Sequence, residues 1–293
     1  MSAKENRKVL ITGSAGFIGS HLSHTLAENG WDVSLFDIQT DPAENILYRD
    51  ALRNAMEGKT HVVHLAAKTS VPESTLHPEE TKEVNEKGTR EVFDAAQVAG
   101  VKRVVYASSA AVYGDAAPIP NREDGPTDPL SPYAASKVQN EWDARIRIAP
   151  VMVGLRFFNV YGPGQRADHP YASVIPKWIS TMKSGGRPEL FGDGKQTRDF
   201  VHIRDVARAI SAALTKEGVG AGEVYNIGSG EERTMNSVWE VLKKVSGSSI
   251  DITRSAARDG DLRRSVADIG KAKRELGWKP EVSFEEGLKE LFA

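Results

Sequence analysis

The chain has 293 residues, and its 38 Lys and Arg against 40 Asp and Glu give a formal net charge of −2. This length suits one large domain or two intimate ones, and the near-neutral charge excludes an overall positive field for nucleic acid. The absence of cysteine excludes disulfides and thiolate nucleophiles. The seven histidines form no His-x-x-x-His pair, so we expect no metal site. With no apolar run of membrane-spanning length and a polar start, a cytoplasmic protein is expected.

The first half of the chain alternates short apolar runs with helical patterns. Strands are predicted at Val9–Thr12, Val33–Phe36, His61–Leu65, Arg103–Ala107 and Val151–Phe158, and helices at Phe17–Asn29, at Pro78–Ala99 and from Pro132 onward. Strands that alternate with helices imply right-handed crossovers and therefore a parallel sheet covered on both faces. The lack of polar alternation within the strands agrees with burial on both sides.

The second half is more irregular. Residues 163–176 and 184–196 are rich in Gly, Pro and charge and are interpreted as loops around a ligand. Helices are predicted at Ile175–Met182 and Met235–Val245, and two strands, Phe200–Ile203 and Val224–Ile227, are expected to rejoin the main sheet. We therefore place a first domain at 1–160 and a smaller, intertwined second domain at 161–293.

A glycine-rich turn joins the first predicted strand to the first helix. Its sequence, Gly13-Ser-Ala-Gly16-Phe-Ile-Gly19, spaces the glycines at intervals of three. Glycines permit a tight turn and let backbone N–H groups approach a pyrophosphate, which the helix dipole also attracts. Asp37 ends the second strand, where a carboxylate binds an adenosine ribose and repels a 2′-phosphate. The pattern indicates dinucleotide binding, with NAD favoured over NADP.

Tyr133 and Lys137 stand one helical turn apart, after Ser131 as a predicted N-cap and Pro132 as the first helical residue. A phenol is a poor base near pH 7 because its reference pKa is about 10, but a neighbouring ammonium stabilises the phenolate. The pair can therefore act as a general base. Ser109, at the end of the fourth strand, can hydrogen-bond a reacting hydroxyl. Taken alone, the pair is more often a solvated helical face, and the serine a cap for local backbone.

These features occur together in one known family. The chain resembles the extended short-chain dehydrogenase/reductases, specifically the NAD-dependent nucleotide-sugar epimerases and dehydratases. The resemblance rests on the glycine turn, Asp37, Asp50-Ala51, Leu65-Ala-Ala67, Asn85, Ser108-Ser109, Tyr133 with Lys137, Phe157-Phe-Asn-Val-Tyr-Gly-Pro163, the run from Gly192 to His202, Asn226-Ile-Gly228, Arg258-Asp-Gly-Asp261 and Leu276-Gly-Trp278. It implies an α/β fold with a Rossmann-type doubly wound parallel sheet and a smaller, intertwined substrate-binding domain. It also implies a homodimer that pairs through the helices near 80–99 and 133–148.

The resemblance implies a role for each matching residue. Tyr133 would be the catalytic base, Lys137 its electrostatic partner and Ser109 the hydroxyl that polarises the C4–O bond. The residues expected to bind NAD are Gly13, Gly16, Phe17, Ile18, Gly19, Asp37, Asp50, Ala51, Leu65, Ala66, Ala67, Asn85, Tyr133, Lys137 and Phe157. Those expected to bind a UDP-sugar are Ser109, Asn159, Ala172, Val174, Phe191, Arg198, Arg258 and Ser265. Structural salt bridges are the alternative for the two arginines, and a core position is the alternative for Phe191.

The residues after Ser109 bear on the reaction. Dehydratases of this family place an Asp-Glu pair there and decarboxylases an acidic residue, whereas this chain has Ala110 and Ala111. We therefore expect C4 epimerisation of a UDP-hexose or UDP-N-acetylhexosamine through a 4-keto intermediate. Asn159 counts against a uronate, because uronate epimerases often carry Thr there. Ser265 stands where glucose-restricted enzymes carry Tyr and favours a broad or N-acetyl-preferring enzyme.

The sequence leaves four other functions open. They are a UDP-uronate epimerase, a dehydratase, a nucleotide-sugar reductase, and a non-catalytic NAD-binding regulator that would not need the Tyr, Lys and Ser together. The chain departs from the family between Asp37 and Asp50. This segment is shorter than in relatives, which carry a longer loop and a helix there. We expect no full helix in this segment and a more open adenine pocket.

Overall fold

The computed structural model describes residues 7–115, 117–168, 172–257 and 262–292. Its strands are β1 (Lys8–Thr12), β2 (Asp32–Phe36), β3 (His61–His64), β4 (Arg103–Ser109), β5 (Val151–Phe157), β6 (Asn159–Tyr161), β7 (Glu189–Phe191), β8 (Thr197–Arg198), β9 (Phe200–His202), β10 (Glu223–Ile227), β11 (Arg233–Thr234) and β12 (Thr253–Ser255). Its α-helices are α1 (Phe17–Glu28), α2 (Arg49–Met56), α3 (Val71–Leu76), α4 (Pro78–Lys82), α5 (Thr89–Val98), α6 (Pro132–Arg145), α7 (Val174–Lys183), α8 (Ile203–Thr215), α9 (Met235–Ser246) and α10 (Phe284–Lys289). No described helix is both long and apolar enough to cross a membrane.

Six parallel strands form the central sheet in the order β10-β5-β4-β3-β1-β2. Successive residues of each strand face opposite layers. Ile11 packs into the core shared with Leu22 of α1 and Ile210 of α8, whereas Leu10 packs into the core shared with Leu52 of α2 and Phe93 of α5. The predicted α/β sheet with two covered faces is confirmed.

The strand order reverses between β1 and β3, since the chain runs outward to β2 and then returns to the other side of β1. Ligands of open α/β sheets bind in the crevice at the carboxyl ends of the strands beside such a reversal. The glycine turn after β1 and the loop after β3 meet there, because the Leu65 N–H donates to the carbonyl oxygen of Thr12 at 3.0 Å.

The predicted helix at Pro78–Ala99 is interrupted in the structure. A π-helical segment, Glu83–Gly88, lies between α4 and α5, and the short helix α3 precedes them. A π-helical turn rotates the side chains that follow it relative to those before it. Asn85 lies within this π-helical segment, fully buried beneath the loop after β3.

The expectation that Phe200–Ile203 rejoins the main sheet is wrong. β9 pairs in parallel with β6 in a separate two-stranded sheet, with Asn159 opposite Phe200, and Ile203 already begins α8. The chain leaves the main sheet at Phe158, whose N–H donates to the carbonyl oxygen of Ile227. β6 therefore lies outside that sheet, where it pairs with β9. The other expected strand, β10, does join the main sheet beside β5.

A separate apolar core supports the second half of the chain. Tyr161, Trp178, Trp239 and Phe284 pack together there with parts of α7, α9 and α10. The two indole rings meet edge to face with their centroids 5.8 Å apart. This core holds β6 and α7 beside the carboxyl end of β5, and so forms one wall of the site.

Candidate active site

The glycine turn after β1 packs tightly against the loop after β3. A Cβ atom on Gly13, whose φ is +74°, would lie 2.5 Å from the Ala66 nitrogen, and one on Gly19 would lie 2.3 Å from the Gly13 carbonyl oxygen. α1 begins after Gly16 with no side-chain cap and no acidic residue in its first turn, which includes the half-buried Phe17 and Ile18. An uncapped helix N-terminus offers N–H donors and positive potential to an anion. The turn therefore fits the pyrophosphate of a dinucleotide.

Asp37 follows β2 directly, and its carboxylate reaches the glycine turn. One oxygen accepts from the Ala15 N–H at 2.9 Å and the other from the Gln39 N–H at 2.8 Å. These bonds fix a carboxylate that is only 7% exposed. Each oxygen keeps a further lone pair for a ribose hydroxyl. The geometry fits the adenosine ribose of NAD.

The adenine side is short, as expected. Residues 38–48 form turns only, and the next helix, α2, begins at Arg49. Ala51 is half-buried in its first turn, whereas the Asp50 side chain is 95% exposed with Arg53 3.9 Å away. The Asp50 side chain thus faces solvent, and the open adenine pocket expected on this side stays a prediction.

The loop after β3 presents half-buried small and apolar side chains, Leu65, Ala66 and Ala67. Asn85 holds this loop from behind. Its side-chain oxygen accepts from the Lys68 N–H at 2.8 Å, and its amide nitrogen donates to the Lys68 carbonyl at 2.9 Å and to the Ser136 hydroxyl at 3.2 Å. The polar groups of Asn85 are thus engaged with protein, and the residue positions the loop.

The start of α6 places the proposed catalytic pair. Ser131 caps the helix by accepting from the Ala134 N–H at 3.1 Å. Lys137 Nζ lies 5.7 Å from the centroid of the Tyr133 ring and donates to the Ala107 carbonyl at 3.0 Å. Lys137 is 4% exposed, so the pair is not a solvated helical face. The half-buried phenol and the buried ammonium instead share one face of α6 that packs against β4.

Burial changes the proton affinity of both groups. It raises the pKa of the Tyr133 phenol, which a hydrogen bond with Ser109 lowers. It lowers the pKa of Lys137 to about 8, while the carboxylate of Glu141 acts in the raising direction. The Ser109 hydroxyl also accepts from the Ala111 N–H at 3.1 Å, so it caps local backbone as well as contacting the phenol. A half-buried phenol, an ammonium and a hydroxyl at one strand end can together exchange a proton with a substrate hydroxyl.

A buried ion pair supports this face of α6, and the sequence reasoning missed it. Glu141 lies one turn after Lys137 and pairs with Arg156 of β5 at 2.6 and 2.9 Å, while the Ser108 hydroxyl donates to it at 2.5 Å. Arg156 also donates to the Tyr113 hydroxyl at 2.8 Å. The four-residue spacing from Lys137 predicts that Glu141 lies on the same face of the helix, but it does not predict Arg156 as the partner.

A cavity of about 220 Å³ opens beside the carboxyl end of β5. Four predicted substrate residues line it: Asn159, Val174, Phe191 and Arg198. The Arg198 guanidinium donates to the carbonyls of Thr197 and Leu262 at 2.7 Å each, which fixes it at the cavity wall. The structure thus brings an arginine, an amide and an aromatic ring to one pocket that suits an anionic, ring-containing ligand.

The other predicted substrate residues and the cofactor residue Phe157 are not among the residues that line this cavity. Phe157, at the end of β5, is buried, and Ala172 is half-buried just before α7. Ser265 is buried. The carbonyls on either side of it, of Arg263 and Val266, accept from the N–H groups of Thr197 and Asn121. Arg258 lies outside the described residues.

Gln165 lines the cavity and was not predicted. Its amide nitrogen donates to the Val160 carbonyl at 3.2 Å and to the Ser173 hydroxyl at 3.3 Å. Its side-chain oxygen is buried and, within the described part of the chain, has no hydrogen-bond partner. Its position six residues after Asn159, in a loop rich in glycine and proline, gave no periodic signal.

Known proteins match this chain over nearly its whole length. The pattern of the NAD dependent epimerase/dehydratase family matches residues 9–228. The UDP-glucose 4-epimerase of Mycolicibacterium smegmatis is 35% identical over 310 residues, which cover 96% of each protein. The UDP-N-acetylglucosamine 4-epimerase of Methanobrevibacter ruminantium, solved with UDP-N-acetylmuramic acid, has a TM-score of 0.91 and 33% identity, covering 98% of this chain and 97% of that one. The UDP-N-acetyl-alpha-D-glucosaminuronate decarboxylase of Bacillus cytotoxicus is 32% identical over 97% of this chain and 96% of its own.

Proposed function

The chain belongs to the NAD dependent epimerase/dehydratase family, and from that premise we propose that it is a UDP-sugar 4-epimerase. The observation that carries the proposal is the pairing of the half-buried Tyr133 with the buried Lys137 and with Ser109, at the end of the sheet where Asn159 and Arg198 line a cavity. These groups supply a proton acceptor and an anion-binding wall at the same end of the sheet. A non-catalytic NAD-binding protein would require only the glycine turn and Asp37.

The chain's own residues would handle the proton. Tyr133 takes the proton from the C4 hydroxyl, Lys137 stabilises the resulting phenolate, and Ser109 hydrogen-bonds the oxygen of C4 as it becomes a carbonyl. The glycine turn and Asp37 would hold the cofactor, which supplies a reversible hydride acceptor when bound. The C4 epimer would form once the 4-keto sugar has turned over in the site, with Tyr133 returning the proton to its oxygen and the bound cofactor supplying hydride to the opposite face of C4. No cofactor is consumed, so we propose that NAD stays bound between turnovers.

The turn after Ser109 argues against dehydration and decarboxylation. Ala110 and Ala111 begin a 3₁₀ turn, Ala110–Tyr113, directly after the strand that carries the serine. Their methyl groups cannot donate or accept the additional proton that elimination of water requires. Epimerisation needs no group at these positions beyond those already present.

We propose that the substrate carries an N-acetylhexosamine in preference to a simple hexose. The support comes from Ser265, which is buried and small, so that the segment carrying it contributes little volume beside Thr197. A tyrosine at the same position would fill space that the serine leaves open, because protein interiors are close-packed. Phe191 and Val174 line the cavity where we propose that the nucleotide base binds, with Arg198 and Asn159 at the pyrophosphate.

Turnover of a substrate panel tests the function and the substrate together. UDP-N-acetylglucosamine, UDP-glucose and UDP-glucuronate are incubated with the protein, and the product sugars are identified by ¹H NMR. We expect C4 epimers, with the fastest initial rate on UDP-N-acetylglucosamine. In Tyr133→Phe the rate falls by about 10²- to 10⁴-fold, the usual size of a general-base contribution. Tyr48→Phe, which alters an exposed tyrosine, keeps the wild-type rate.

The outcomes separate the two proposals. Activity on UDP-glucose alone would overturn the preference for N-acetylhexosamine but keep the epimerase. A 4-keto-6-deoxy sugar, a pentose product or undiminished activity of Tyr133→Phe would overturn the epimerase itself.

A further inference from the structure

The shortened segment after β2 folds back on the strand that it leaves. The N–H groups of Thr40 and Asp41 both donate to the Asp37 carbonyl at 3.0 Å, and the Glu44 N–H donates to the Asp41 carbonyl at 2.8 Å. These turns return Glu44 to the end of β2, where its carboxylate accepts from the Asp37 N–H at 2.8 Å. Glu44 thus binds the backbone N–H of Asp37, while the Asp37 side chain binds the glycine turn.

Among the strands that the structure describes, β2 is the last of the central sheet, and none of them pairs with its outer edge. The Glu44 carboxylate occupies that edge at the carboxyl end of β2. It is half-buried, and so its field is screened less than that of a fully exposed charge. Within the described part of the chain, neither Asp37 nor Glu44 forms an ion pair with a Lys, Arg or His. Two uncompensated carboxylates therefore stand at one strand end.

We propose that Glu44 is a second determinant of cofactor choice and acts with Asp37 to reject the 2′-phosphate of NADP. The inference rests on the proposed position of Asp37 at the adenosine ribose. A 2′-phosphate there would be repelled by the adjacent Asp37 carboxylate. It would also be repelled, at longer range, by the Glu44 carboxylate, which accepts from the Asp37 N–H. Replacing Asp37 alone would consequently leave a negative charge at the site and would not give a protein that prefers NADP.

Glu44→Gln tests the charge without removing the contact. Glutamine keeps a side-chain oxygen that accepts from the Asp37 N–H, so the turns are preserved while the charge is lost. The probes are 2′,5′-ADP and 5′-ADP, which are titrated by calorimetry at low ionic strength into the protein freed of bound NAD⁺. We expect Glu44→Gln to bind 2′,5′-ADP about threefold to tenfold more tightly, with 5′-ADP unchanged within about twofold. The gain should shrink as salt is added.

Asp32→Asn is the matched control. Asp32 is exposed and begins the same strand, so the variant makes the same charge change at the opposite end of β2. Unchanged binding of 2′,5′-ADP to Glu44→Gln, or an equal gain in Asp32→Asn, would overturn the inference. Failure of both ADP probes to bind any variant freed of NAD⁺ would instead overturn the position of Asp37 at the ribose, and the inference with it.

Discussion

Lys137 sets the pH range in which the site can work. Burial lowers its pKa from the ordinary value of 10.5 to about 8, which is close to neutral pH. The ammonium form is the one that stabilises the Tyr133 phenolate, so deprotonation removes the base's electrostatic support. The rate of the proposed reaction should therefore fall as pH rises through the pKa of Lys137. Glu141 opposes this loss, because its carboxylate favours the charged lysine.

Glu141→Gln should narrow the pH range from the alkaline side. Without the carboxylate the pKa of Lys137 falls further, so we expect the alkaline limb of kcat/KM to move to lower pH by roughly half a unit to one unit. Glutamine can still accept hydrogen bonds from Ser108 and Arg156, which preserves much of the packing. The measurement is kcat/KM between pH 6 and about 9.5, with urea unfolding as a check on stability.

Asp143→Asn provides the comparison on the same helix. Asp143 pairs with Arg90 on the outer side of α6, at 3.2 Å. Its alkaline limb should match that of the wild type. A limb that stays in place in Glu141→Gln would show that Glu141 serves the fold alone.

Individual residues were predictable where a local rule placed them. The Ser131 cap and the Tyr133–Lys137 pair follow from helix geometry, and Asp37 follows from the end of a strand. Glu141 and Gln165 could not be predicted, because their significance depends on partners far along the chain or on a cavity. Spacing fixes what lies on one helical face, but not what that face packs against.

Among the elements, the π-helical segment Glu83–Gly88 links the second layer of helices to the cofactor crevice. An uninterrupted α-helix would direct Asn85 elsewhere, since each residue advances the side-chain direction by a fixed angle. The π turn instead lets one amide hold both the N–H and the carbonyl of Lys68. The loop after β3 is thereby tied to α6 through Ser136.

Asn85→Ala should loosen this loop. We expect a loss of about 1–3 kcal/mol in the free energy of unfolding, because three hydrogen bonds of a fully buried amide are removed. NAD⁺ should also bind more weakly, since Ala66 and Ala67 lose their support. Urea unfolding and NAD⁺ binding measure the two effects, and Gln97→Ala, at an exposed amide on α5, should change neither. Unaltered NAD⁺ affinity in a destabilised Asn85→Ala would refute the link to the crevice.

The apolar pattern predicted where the strands lie better than it predicted which strands pair with each other. The parallel strands of the central sheet were located because each is a short apolar run between helices. The same apolar character in Phe200–His202 suggested the main sheet, but this strand pairs with β6 instead. A buried run shows that a strand has covered faces and leaves the neighbouring strand undetermined.

At the scale of the whole molecule, the outer surface of α5 and α6 carries exposed apolar side chains. Val98 and Ile146 are each 74% exposed and Trp142 is 57% exposed. Large apolar side chains grouped on a surface mark association sites. We propose that these helices form the interface of a homodimer.

Trp142→Glu should disrupt this assembly, because a carboxylate would lie in the centre of an apolar contact. Sedimentation velocity at micromolar concentration should show a dimer for the wild type and for Trp142→Phe, and a monomer for Trp142→Glu. A wild-type monomer, or a dimer that persists in Trp142→Glu, would contradict the proposed interface.

In the proposed reaction, hydride leaves C4 of the sugar and returns to the same carbon without exchange with water. UDP-N-acetylglucosamine labelled with deuterium at C4 tests this claim most directly. After turnover in ordinary water, we predict that ¹H and ²H NMR will show the deuterium still at C4 in both epimers, with no net NADH. Loss of deuterium to water would contradict the claim, as would a product that has lost the elements of water.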